Sequence, residues 1–471
     1  MKNMVWFRRD LRINDNTALA TACKDANEGV VAVFYITPAQ WIEHHDAPLK
    51  VDFWLRNVAA LSESLAELNI PLLVQRCKRF SDIPAAICAL ANKHGCGDIF
   101  FNREYEVNER IRDVEVIRTA TAANIGAQAF HDRVIVAPAK IKTKDERFYS
   151  VFTPYRKRWD KIAADFGTVQ NKPPKQKPTG ITPSSVPKQV EGYNFADLPS
   201  DLWPAGVDEA QRRLKKFVAK IDDYGTARDV PSLNGTSQLS PYLAAGVISP
   251  RQCLARAIRA NGGAIGGEGG ATTWISELAW RDFYTHVMAG FPRVSKDLPF
   301  KKKTQKLKWR SSSKDFEAWK TGQTGYPIVD AGMRQLNQTG WMHNRLRMVT
   351  AMFLTKNLLI DWREGEKYFM EKLIDGDLAA NNGGWQWSAS TGTDSAPYFR
   401  IFNPFSQSKR FDPEAQFIKQ MCPELDAVPH QATHDVNKLS KALKETGTDY
   451  PPYIVDYKES RERALAAFKA L

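Results

Sequence analysis

The first 130 residues alternate short β-branched or aromatic runs with longer stretches of helical period, and few architectures accept that order. Candidate strands are Met4–Phe7, Val30–Ile36, Pro71–Cys77, Asp98–Asn102 and Gln128–His131. Between the second and third, Val51, Trp54, Leu55, Val58, Leu61, Leu65 and Leu68 recur at the three-to-four spacing of an amphipathic helix. Such alternation predicts an α/β domain with a doubly wound parallel sheet, because a parallel crossover needs a connection of helix length. The first strand runs into Arg8-Arg9-Asp10-Leu11-Arg12 rather than a glycine fingerprint, so a conventional dinucleotide site is unsupported here.

Beyond residue 131 the composition changes. Asn171–Lys188 is rich in Pro, Lys and Ser and reads as a linker. Past about 205, strand signals thin out and helical patterns dominate, near 207–221, 240–260, 271–288, 327–338 and 341–361. The expected organisation is an α/β domain over 1–131, an interdomain linker over 132–204 and an all-α domain over 205–471. The six cysteines show no C-x-x-C pair and no zinc spacing, which points to buried free thiols and no metal. No apolar run reaches the length of a membrane span, and charge follows the first short apolar run too soon for a secretory signal, so a cytoplasmic location is expected.

Charge divides unevenly. Residues 1–140 hold 17 basic and 17 acidic side chains, whereas the remainder holds 49 basic against 36 acidic, so the whole formal excess of +13 lies there. Polyanion binding is the physical reading, since neutralising phosphates releases condensed counterions. A merely soluble basic protein is the plainer one. The densest run, Lys296 to Arg310, suits either a phosphate-contacting surface or a solvated loop.

Three constellations bear chemistry. In Asn234–Gly246, Ser240 is a candidate N-cap with Pro241 in the first turn, which would aim free N–H groups at an anion near Thr236 and Ser237, or simply cap a helix. In Trp274–Tyr284, the residues Trp274, Glu277 and Trp280 share a helix face; in Trp341–Met348, so do Asn344, Arg347 and Met348. The third is Asp375–Trp387. Aromatic stripes of this kind are more often core, yet these carry Glu, Asn, Arg and Asp beside the tryptophans, which an apolar core would bury at a cost of several kcal/mol. A polar, ligand-lined cavity competes with the core reading.

Together these residues resemble the photolyase/cryptochrome flavoproteins, and most closely the bacterial folate-type photolyases acting on cyclobutane pyrimidine dimers. Trp6–Arg12, Thr324–Asp330, Trp341–Met348 and Asp375–Trp387 all match the family's pattern, in order, along the whole chain. The resemblance implies an N-terminal α/β domain and a helical C-terminal domain that binds FAD, reduced and anionic in the active state. Tyr224, Thr236, Ser237, Gln238, Leu239 and Ser240 would hold its phosphates; Glu277, Arg281, Asn344, Arg347, Asp375, Asp377 and Asn381 would surround the rest. Glu277, Asn381, Arg347 and Asp375 would serve catalysis, with Arg347 and Asp375 paired near the ring and Asn381 facing the flavin N5.

By the same resemblance, a flipped-out dimer in damaged DNA would meet Trp280 and Trp387, with Glu277, Asn344, Arg345 and Met348 completing its pocket and Arg228 near the DNA backbone. A damaged pair is poorly stacked and therefore cheap to extrude from the duplex. Trp385, Trp362 and Trp309 match the family's electron relay, and His44, Asn108, Glu109 and Lys296 its antenna site for 5,10-methenyltetrahydrofolate. Gln238 departs from relatives that carry a basic residue there. The implied function is light-driven dimer repair by a monomeric, nucleoid-associated enzyme with no membrane partner. A cryptochrome-type blue-light photoreceptor and a dark flavin oxidoreductase are the rivals, and Asn381, the paired pocket tryptophans and the one-sided charge speak against them.

Overall fold

The computed structural model describes residues 1–164 and 172–471. Five strands form a single, entirely parallel sheet: β1 (Lys2–Phe7), β2 (Val30–Ile36), β3 (Leu72–Arg76), β4 (Cys96–Asn102) and β5 (Gly126–Phe130), in the order β3-β2-β1-β4-β5. All seven residues of β2 are buried, as an uninterrupted apolar run demands of an inner strand covered on both faces. The Pro48–Ala66 helix between β2 and β3 buries Val51, Trp54, Leu55, Val58, Leu61 and Leu65, the stripe read from the sequence. Among the described residues no strand follows β5, and the regular elements beyond it are helices.

Two compact units emerge, each built from three stretches of chain. One comprises Met1–Asp222, Ser237–Pro292 and Ile374–Ala379; the other comprises Asp223–Thr236, Arg293–Leu373 and Ala380–Leu471. The first contains the sheet, whose core gathers Met4, Trp6, Val31, Val33, Ile87, Ile99, Phe101 and Val116. The core of the second is aromatic, with Trp319, Trp362, Trp385, Phe353 and Phe369 among its members.

The stretch expected as a linker, 132–204, contains a helix. Phe152–Ala164 is a helix with Phe152, Tyr155, Trp159 and Ala163 buried. Residues 172–188 carry no helix or strand, yet Gln176 N–H donates to the Leu68 carbonyl and Ser184 N–H to that of Leu72, both at 2.9 Å. The Asn171 end of the proline-rich run lies outside the described residues.

Other local expectations need correcting. Ser240 is not an N-cap: the Ser240–Ala244 helix starts at that residue, and the cap position is Leu239, in right-handed helical conformation. The 240–260 pattern is two helices, the second starting at Pro250 behind Ser249, whose hydroxyl accepts from Gln252 N–H. Both segments carry apolar residues at helical spacing, which hides the break at the Gly246 turn. Likewise 341–361 is an Asn344–Met352 helix followed by a π-helical turn over Phe353–Asn357.

Candidate active site

In the sheet-containing unit, chemistry gathers at the carboxyl ends of the strands around β1, where the order reverses and such folds form a crevice. The Arg8-Arg9 pair that follows β1 meets acidic residues that follow β4. Arg9 Nε is 2.5 Å from Glu104 and its Nη2 2.8 Å from Glu106, while Arg112 reaches Glu104 at 2.7 Å. Arg8 and Arg112 also lie over Trp6, with guanidinium carbons 4.0 and 4.8 Å from the ring centroid. Arg12 and Arg251 share Asp132, whose carboxyl is held well below the usual range by these two cations despite its burial.

Three antenna candidates come together at this rim. His44 Nε2 is 2.9 Å from Asn108 Nδ2 and 3.0 Å from Gln40, His44 Nδ1 is 3.7 Å from Glu109, and the imidazole meets Phe80 edge to face at 5.5 Å. Burial lowers the pKa of His44. Burial and the neighbouring Glu106 raise the Glu109 carboxyl above the usual carboxylate range. A flat ligand with amide-like edges suits such a set. Lys296 belongs to the other unit and is exposed.

Further residues of the same unit converge on Arg281. Its Nη1 donates to the Arg133 carbonyl at 2.5 Å and its Nη2 to that of Leu243 at 3.5 Å. Burial depresses its pKa, partly offset by Asp377, whose carboxylate is 2.8 Å from Arg133. Lys50 donates to the Gly376 carbonyl at 2.5 Å and to Asp46, and so ties down the strip that bears Asp375 and Asp377. Ser237, Gln238, Leu239 and Ser240 fall in this unit, with Gln238 in left-handed conformation (φ 50°) and accepting from Arg213 at 3.2 Å. A largely desolvated cation whose acceptors are backbone carbonyls is a seat for an anion, which fits a diphosphate such as that of FAD.

Glu277 and Trp280 lie on the Gly270–Gly290 helix of this unit, both half-buried. Trp274, on the same stripe, is core and packs against Phe217 at 4.8 Å. Sequence reasoning missed Phe152: its ring stacks on Trp280 with centroids 3.6 Å apart and planes 10° from parallel.

In the second unit, Arg228 and Arg345 both approach Asp229, at 3.8 and 2.8 Å, and Arg345 also covers Phe411 at 4.2 Å. Arg228 lies over Tyr224, its guanidinium carbon 5.6 Å from the ring centroid. Arg347 donates to the Met342 carbonyl at 2.9 Å. Asn344 is exposed at the helix start, and Met348 is half-buried one turn on. His343 caps this helix, its Nδ1 accepting from Arg345 N–H at 3.2 Å; burial pushes its pKa down to about 4, so the cap stays neutral. Thr236 falls in this unit too.

Asn381 donates through Nδ2 to the Glu366 carbonyl at 3.0 Å, which orients the amide and leaves Oδ1 as an acceptor. Trp385 and Trp362 are buried, and Trp309 packs against the same apolar cluster from a half-buried position. The Trp385 indole N–H has no hydrogen-bond partner among the described residues. Trp387 is half-buried two residues on. The Thr324–Asp330 motif is structural: buried Asp330 accepts from Thr324, Gly325 and Tyr450.

Residues 3–178 match the DNA photolyase family, and residues 274–470 match the FAD binding domain of DNA photolyase. The deoxyribodipyrimidine photo-lyases of Salmonella typhimurium and Escherichia coli are 44% and 45% identical to this chain, each over 99% of it and 98% of the relative. Among solved structures, a class III photolyase from Agrobacterium tumefaciens superposes with a TM-score of 0.88 at 32% identity, covering 100% of this chain and 97% of that one. An archaeal photolyase from Sulfolobus tokodaii, solved with two FAD molecules, gives 0.80 at 29% with complete coverage of both chains. A Synechocystis cryptochrome gives 0.86 at 26%, covering 99% of each.

Proposed function

The chain belongs to the DNA photolyase family, and from that premise we propose that it repairs cyclobutane pyrimidine dimers in DNA with light. It is a deoxyribodipyrimidine photolyase in activity and a flavoprotein in composition. The observation that carries this reading is 44–45% identity, from end to end, with bacterial relatives named for that activity. When bound, reduced FAD excited by light supplies the electron that opens the cyclobutane ring and takes it back afterwards.

The protein's own part is positional and electrostatic. Arg281 offers its charge to the cofactor's anionic portion, together with the phosphate-holding group of Tyr224, Thr236, Ser237, Gln238, Leu239 and Ser240. Asp375, Asp377, Arg347 and Asn344 line the remainder, and Asn381 presents its carbonyl oxygen to the ring. Trp280 and Trp387 receive the extruded dimer on their faces, with Glu277, Asn344, Arg345 and Met348 about it, because a damaged pair is cheap to unstack. Arg228 and the lysines of 301–303 contact phosphate. Trp385, Trp362 and Trp309 pass electrons inward from the surface. The half-buried, multiply bonded His44, with Asn108 and Glu109, holds a folate antenna, and Lys296 contributes its charge. The working form is a monomer in the cytoplasm, associated with the nucleoid through DNA.

The test is direct. Purified protein carrying reduced FAD is mixed with an oligonucleotide containing one thymine dimer and exposed to near-ultraviolet or blue light. Return of the two thymines, in light and not in darkness, is the expected result; lesion persistence in both would overturn the reading. Extracting the second chromophore distinguishes a folate antenna from a second flavin.

A further inference from the structure

The helix Phe152–Ala164 and the residues before it are anchored along one side of the Gly270–Gly290 helix. Tyr149 N–H donates to His286 Nε2 at 3.0 Å, and Trp159 Nε1 donates to Asp282 at 3.0 Å. Tyr155 packs against Phe283 and His286, each at 5.0 Å. Phe148 lies so close to Gly290 that a β-carbon there would come within 2.3 Å of its ring. Between these anchors Phe152 is buried, and it covers one face of Trp280 at 3.6 Å while touching Phe283 at 5.6 Å.

We propose that Phe152 is a positioning residue for Trp280, closing one face of the indole so that a ligand can stack only on the other. The inference rests on the reading of Trp280 as a residue that meets the dimer. Its consequence is specificity. A single flat base gains most by insertion between two rings, which needs about double the observed separation, and the closed Phe152–Trp280 pair refuses it. A dimer, whose two bases are joined out of plane, cannot be sandwiched and loses nothing. The pair also fixes the indole before binding, which removes a rotamer cost that a free tryptophan would incur on association.

The experiment is a double-mutant cycle on the FAD-loaded enzyme, titrated against dimer-containing and intact duplexes in the dark. Phe152→Leu keeps bulk and removes the stack; Phe152→Tyr retains it. Phe152→Leu is expected to weaken dimer binding about two- to tenfold, the range of one aromatic pair removed, without changing affinity for intact duplex. Phe152→Tyr should restore it, and Phe152→Leu should add nothing on the Trp280→Ala background. Equal loss on both duplexes, or full additivity with Trp280→Ala, would overturn the proposal by making Phe152 a general packing residue. Unchanged dimer affinity in Phe152→Leu, with Trp280→Ala impaired, would overturn it while sparing the lesion reading of Trp280. Unchanged affinity in Trp280→Ala would remove that reading itself, and the proposal with it.

Discussion

Gly365 abuts the indole of Trp385, so near that a β-carbon at residue 365 would come within 2.1 Å of Cη2 and 2.4 Å of Cζ3. The absence of a side chain at one residue therefore fixes the ring of another, twenty positions on. Gly365→Ala is expected to cost about 1–3 kcal/mol of stability through overpacking and to slow photoreduction of oxidised flavin by displacing Trp385. Urea unfolding and bleaching of the flavin bands under blue light measure the two effects. An alanine variant with wild-type values for both would mean that the ring has room to shift.

Trp309→Phe separates two electron routes. Phenylalanine preserves packing against the aromatic cluster but is far harder to oxidise than an indole. Photoreduction of oxidised flavin should collapse, while repair by chemically reduced enzyme stays near wild type. Transient absorption measures the first and chromatography of repaired oligonucleotide the second; equal loss of both would remove Trp309 from the relay.

Lys302 and Lys303 are exposed in the densest basic run. If they neutralise phosphate, alanine at either should weaken binding to damaged and intact DNA by the same factor. The slope of log affinity against log salt should flatten by about one unit for each phosphate no longer neutralised. Titrations at several salt concentrations read both quantities, and a loss confined to damaged DNA would place these lysines in the lesion pocket instead.

Glu366 gives a pH signature. Burial pushes its carboxyl up to about 8, against the pull of the Asn382 amide. The folded protein therefore keeps a proton that the unfolded chain releases near the ordinary value of 4.5, so this group's contribution to stability falls as pH rises from about 4.5 to 8. Glu366→Gln retains an acceptor for Asn382 and removes the titration. The melting temperature of the variant relative to wild type should climb from pH 5 to pH 8 and level off above it, as followed by scanning calorimetry. A constant difference across that range would show that the carboxyl titrates normally.

What was readable in the sequence follows the range of the interactions. Strands such as Val30–Ile36 and the Val51–Leu65 stripe declare themselves locally, because periodicity reports which face is buried. The Ser240 cap misled because serine before proline satisfies a local rule, whereas the backbone at Leu239 was already helical. Phe152 was invisible for a different reason. Its stacking partner lies 128 positions away, and a stretch with ordinary helical spacing carries no mark of what it will be packed against. The ion pair of Arg9 with Glu104 was hidden in the same way: composition counts the charges, and only the parallel pairing of β1 with β4 brings them together.

Each unit is assembled from three separate stretches, and the chain passes between the two five times. Biosynthesis must reckon with this. The sheet is complete in sequence by residue 130, but its unit still lacks Ser237–Pro292 and the short strip Ile374–Ala379 until most of the polypeptide has left the ribosome. The Arg133 guanidinium waits for Asp377, and the Lys50 ammonium for the Gly376 carbonyl. Were the N-terminal domain to close before the next is made, as is usual, it would do so without these two stretches. An unfinished nascent chain would hold Lys50 against Asp46 alone and Arg133 against Glu104 and Glu106 alone, and a truncated fragment ending before residue 374 would be a natural client for chaperones and proteases.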